Sequence, residues 1–161
     1  MESLILPHVI ISLIGIATGF IVMYGMLTSN RMPSMTAVFL VTTIVTSASG
    51  FVLPAPHFLP SHAVGILSLI VLAIAVYAYY PHKLAGAWRW IYVVTALVAQ
   101  FFNCFVGVVQ AFKHVPSLHD FATGDNPPPL APLALLVAFV VIGILTLKKF
   151  HPANSAAIAA V

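Results

Sequence analysis

Five apolar runs, nearly free of charge, constrain this chain more than any other feature. They extend from roughly Leu4 to Thr28, Met35 to Leu53, His62 to Tyr80, Ala87 to Phe112 and Leu130 to Leu147. About 20 helical residues, rising 1.5 Å each, cross the roughly 30 Å of hydrocarbon in a bilayer. The runs are continuous rather than alternating, which implies helices and not the strands of a membrane barrel. With 61% apolar and 6% charged residues, the chain carries more apolar surface than a soluble domain of its size can hide. The expected fold is an all-α integral membrane protein: a five-transmembrane-helix bundle in one domain, with residues 150–161 as a short loose tail.

The connections agree with this division. "SNRMPS" (29–34) and "PHKLAG" (81–86) read as short turns. "SGFVLPAPHFLPSHAVG" (49–65) is a Pro-rich, uncharged hairpin, with Pro60–Ser61 expected to open the third helix and Ser61 to serve as its N-cap. The connection from Lys113 to Pro129 ends in "GDNPPP" and reads as a polar, Pro-stiffened loop, not a sixth helix. The N-terminus lacks the basic region and small-residue cleavage site of a secretory signal peptide. Cys104 is the single cysteine, so no intrachain disulfide is possible.

Charge placement sets the expected orientation. With five spans, Arg31, Lys83, Arg89, Lys148 and Lys149 fall on one side, and Lys113 falls on the other with Glu2, Asp120 and Asp125. The positive-inside rule then puts the N-terminus outside and the C-terminus in the cytoplasm. Trp88, Trp90 and Tyr92 in "AWRWIYV" are expected at the inner interface as an aromatic belt. The small basic excess does not point to nucleic acid. No carboxylate lies inside any run, which disfavours a carboxylate proton relay or an ion-coupled transporter.

The same topology sorts the polar residues. His8, Ser12, Gly15 and Gly19 form one stripe on the first helix, and Gly15 with Gly19 makes a GxxxG pair. Gln100, Asn103, Gly107, Gln110 and His114 form another on the fourth. Thr43, Ser47 and Gly50 mark the second helix, and His62, Gly65 and Ser68 the third. The fifth run offers almost nothing polar and should face lipid most. Buried polar groups in hydrocarbon need partners, so Asn103 and Gln110 are expected to bond across the bundle. Such residues are either interhelical glue or the lining of an outward-opening pocket.

Of seven histidines, five fall on the outer side: His8, His57, His62, His114 and His119. His8, His57 and His62 can share one depth. Three imidazoles would suit Zn, Cu or Fe, and two from facing helices a haem b. Ser12, Gly15, Asn103 and Gln110 are the candidate cofactor-binding residues around these metal ligands, with Gly15, Gly19, Gly65 and Gly107 leaving room for a flat porphyrin. Against this, there is no CxxCH or HExxH motif, and interfacial histidines often serve only as caps.

The stretches "HVIISLIGIATGFIVMYGMLT", "SGFVLPAPHFLPSHAVGILSL", "LAGAWRWIYVVTA" and "NCFVGVVQAF" resemble an uncharacterised family of small multi-spanning proteobacterial inner-membrane proteins. The resemblance includes His8, His57, His62, Arg89, Asn103 and Gln110 and omits His114 and His119. It implies a multi-pass bacterial inner-membrane location and no particular activity. Three readings follow: a redox-associated protein with a histidine-lined metal or haem site in the periplasmic half, a non-enzymatic accessory or assembly subunit associating with other membrane subunits or its own copies, and a small channel or transporter.

Overall fold

Long apolar segments separated by Pro and Gly fold into helices because no water is needed to satisfy their backbone. The computed structural model describes residues 2–53, 60–122 and 126–153. It consists of α1 (Glu2–Leu27), α2 (Pro33–Ser49), α3 (Pro60–Tyr79), α4 (Trp88–His114), α5 (Pro116–His119) and α6 (Leu130–Lys149). Four of these, α1, α3, α4 and α6, are long and apolar enough to cross a membrane. α2 is apolar but has 17 residues, about 26 Å of helix. The five expected spans therefore correspond to four full-length helices and one shorter one.

Proline marks the boundaries. Pro33 opens α2 at a position where the missing N–H would have had no partner. Pro116 forces Val115 into an extended conformation (φ −96°, ψ 112°), which ends α4 at His114. The chain then makes the single turn of α5, within the connection expected to be wholly irregular. α3 is described from Pro60, so Ser61 stands inside its first turn rather than capping it.

Cross-helix hydrogen bonds fix the directions. His8 near the start of α1 meets Ser49 at the end of α2, and Ser47 meets Ser68 of α3. At the opposite end Arg31 reaches Lys83, and Arg89 at the start of α4 reaches the end of α6. The long helices thus run alternately up and down, with a histidine end and a basic end. α1 packs chiefly on α2 and α3 on α4, while α4 also meets α1 and α6.

α4 is the hub: 44% of an 18-residue apolar stretch within it is buried, against 11% of the corresponding stretch of α6. α6 therefore has the exposed surface expected of it. Ala75 and Ala78 of α3 and Ala96 and Ala99 of α4 are fully or almost fully buried, and small side chains let helices approach closely. Tyr92 corrects the aromatic-belt expectation. It shares a helix face with the half-buried Trp88, four residues away, and is buried, whereas Trp90 is exposed on the other face.

Candidate functional site

Several interior polar residues are bonded across helices. Asn103 Nδ2 donates to Thr43 Oγ1 at 3.1 Å, linking α4 to α2. Gln100 Nε2 donates to the Ile16 carbonyl at 2.9 Å, linking α4 to α1. Ser47 Oγ donates to Ser68 Oγ at 3.1 Å, linking α2 to α3. His8 Nδ1 lies 2.8 Å from Ser49 Oγ. Ser49 Oγ also donates to Thr46 O at 3.2 Å, so Nδ1 is assigned as the protonated nitrogen and Nε2 as the acceptor. Ser12 is turned to its own helix, donating to His8 O at 2.7 Å.

Gln110 departs from expectation. It is exposed and makes no cross-bundle hydrogen bond among the described residues.

Gly15, Gly19, Gly65 and Gly107 do not leave an open slot for a porphyrin, because a neighbouring side chain fills each gap. A Cβ at Gly15 would stand 3.2 Å from Thr42 Oγ1 and 3.3 Å from Thr43 Oγ1. At Gly65 it would meet the Phe51 ring at 3.2 Å, and at Gly107 the Ile16 side chain at 3.3 Å. At Gly19 it would collide with the Gln100 carboxamide. Gln100 Oε1 is buried with no hydrogen-bond partner among the described residues. It lies against the Gly19 Cα–H, a weak donor that only the absence of a Cβ makes accessible.

The histidine constellation is not assembled among the described residues. No group of three His, Cys, Asp or Glu side chains able to hold a metal comes together there. His8 is engaged with Ser49 and His62 stacks on Phe51 with ring centroids 5.5 Å apart. His57 lies outside the described residues. His119 Nδ1 lies 3.3 Å from Phe112 O, folding α5 back on α4.

A second polar region, at the basic end, was not marked by the sequence stripes. Arg31 Nη2 donates to Lys83 O at 2.8 Å, and the Arg31 guanidinium lies 5.6 Å from the centre of the Tyr79 ring. The Arg31 carbonyl accepts from Tyr79 Oη at 3.2 Å and Thr36 Oγ1 at 3.0 Å. Arg89 Nη1 donates to Leu147 O at 3.1 Å and Phe150 O at 2.8 Å, neutralising carbonyls left over at the α6 C-terminus. His151 N donates to Ser29 Oγ at 2.8 Å. His82 stacks on Trp88 at 3.9 Å. The available signal was the set of Arg and Lys residues beside turns, but their acceptors are backbone carbonyls, which no side-chain pattern identifies.

No protein-family model, curated protein or solved structure matches this chain.

Proposed function

We propose that this chain is a non-enzymatic accessory or assembly subunit of a bacterial inner-membrane complex, built from five membrane-crossing helices. Its N-terminus is periplasmic and its basic end cytoplasmic, as the one-sided placement of Arg31, Lys83, Arg89, Lys148 and Lys149 favours. The observation that carries the reading is the bonding of Asn103, Gln100 and Ser47 across helices, together with the filling of the gaps at Gly15, Gly19, Gly65 and Gly107 by side chains. Residues used up in this way serve packing rather than ligand binding. The partners would be other membrane subunits or a second copy of the chain.

The test is assembly in native membranes. His8→Ala and His62→Ala are expected to leave folding and the size of the detergent-extracted complex unchanged on native gels, while Gly19→Leu disrupts both. Loss of cellular function in the histidine variants, with the complex intact, would overturn the reading.

A second reading retains one supporting feature. Hydrogen bonding of His8 Nδ1 to Ser49 is the arrangement that orients an imidazole for metal ligation through Nε2. Ligation of a metal or haem by His8, with His57 and His62, would then make the histidine end redox-associated.

A further inference from the structure

Three segments converge at the basic end: the α1–α2 turn, the α3–α4 turn and the chain that follows α6. The Arg31 guanidinium bridges the first two through Lys83 O, and His151 N ties the third to Ser29 Oγ. Between them lies an open cleft of about 730 Å³, lined by Thr28, Ser29, Asn30, Arg31, Tyr80 and Lys83 among others.

The backbone around this cleft is unusual. Among the described residues, the non-glycine positions with positive φ are Ser29 (58°), Met32 (41°), Lys83 (49°) and Leu84 (63°), all in these two turns. Residues with a Cβ populate this region sparsely, and such positions cluster at ligand clamps and switch regions. Asn30 Oδ1 accepts the Met32 N–H at 3.1 Å and Asn30 N donates to Gly25 O at 2.7 Å, which hold the first turn in place.

The polar groups offered there are donors. Arg31 spends one guanidinium nitrogen on Lys83 O and has further N–H groups. The Ser29 hydroxyl accepts the His151 amide and retains its own proton to donate. The Asn30 carboxamide oxygen is occupied, which leaves its NH₂ group. Lys83 is exposed, and no carboxylate pairs with either cation among the described residues. The chain's three acids are Glu2, Asp120 and Asp125: Glu2 begins α1 and Asp120 follows α5, both at the histidine end, and Asp125 belongs to the connection between α5 and α6.

We propose that this cleft binds a phosphate group, carried either by an anionic lipid headgroup or by a soluble phosphate compound. A tetrahedral oxyanion presents several acceptor oxygens at once. It matches a guanidinium, an ammonium and neutral hydroxyl and amide donors gathered without a competing carboxylate. The site lies at the helix ends, at the level where headgroups meet a spanning bundle. It is independent of the accessory-subunit reading, which concerns the interior.

The experiment uses the full-length protein in a neutral detergent. One arm titrates phosphatidylglycerol against phosphatidylcholine and counts bound lipid by native mass spectrometry. The other follows the thermal midpoint as inorganic phosphate replaces chloride at constant ionic strength. Lys83→Gln keeps the carbonyl that receives Arg31 and removes the ammonium. It is expected to weaken binding about fivefold, the effect of one cation near an anionic surface. Lys148→Gln removes a cation from the same end outside the cleft and is expected to change binding less than twofold. Lys83-dependent retention of phosphatidylglycerol identifies a lipid headgroup as the source. A Lys83-dependent rise in midpoint with phosphate alone identifies a soluble ligand. Equal effects of the two substitutions, or no binding in either arm, would overturn the proposal.

Discussion

The interior stripe and the basic end hold the bundle together by different means. In the stripe, neutral side chains meet one to one: Asn103 with Thr43, Ser47 with Ser68, and Gln100 with a backbone carbonyl. At the basic end, arginines reach main-chain carbonyls of distant segments, Arg31 to Lys83 and Arg89 to both Leu147 and Phe150. A hydrogen bond with a charged donor contributes about 1.5–3 kcal/mol, whereas interhelical side-chain bonds in a membrane average about 0.6 kcal/mol. The stripe therefore specifies which helix faces meet, and the basic end supplies the stronger ties per residue.

Substitutions can break this comparison. Arg89→Ala should have the largest effect, a loss of about 2–3 kcal/mol, because two α6-end carbonyls lose a charged donor. Reversible unfolding in detergent measures the loss, and hydrogen exchange should show residues 147–153 opening first. Gly19→Ala comes next. Ala favours a helix by about 1 kcal/mol over Gly, but its Cβ collides with the Gln100 carboxamide, and overpacking costs about 1–3 kcal/mol. A net loss of up to about 2 kcal/mol is expected, relieved in the double variant with Gln100→Ala, and a double-mutant cycle reads that coupling.

Smaller effects sharpen the contrast. A cycle pairing Asn103→Leu with Thr43→Val should give a coupling of about 0.6 kcal/mol, typical of an interhelical bond. His8→Ala should cost less still, below about 0.6 kcal/mol, because His8 is only half-buried and its single bond lies near the helix end. A cycle value at Asn103–Thr43 equal to the Arg89 loss would erase the distinction between the two regions.

Helix positions were legible because runs of about 20 apolar residues leave the backbone few alternatives. The helix faces were legible too: Gln100, Asn103, Gly15 and Gly19 all point into the bundle. Their partners were not. Ile16 contributes its carbonyl to Gln100, and a backbone group leaves no trace in the sequence. Gly15, Gly19, Gly65 and Gly107 read equally well as room for a porphyrin or as close-packing sites, and only the neighbouring side chains decide between them. Tyr92 was misplaced because Trp88, Trp90 and Tyr92 look like one cluster in sequence, while helical periodicity separates Trp90 from the other two. Gln110 follows the stripe spacing but is exposed, since spacing gives a face and not what packs against each position on it. The Arg31–Lys83 cleft depends on two turns 52 residues apart in sequence.

The claim that the interior polar residues are packing ties is tested most directly by the composition of the purified full-length protein. It should be expressed in cells supplied with haem, iron, copper and zinc, and then examined for visible absorbance and metal content. The expected result is no Soret band and no stoichiometric metal, with the His8→Ala protein indistinguishable from the parent. A Soret band or one equivalent of metal per chain, lost on His8→Ala or His62→Ala while the fold persists, would contradict it.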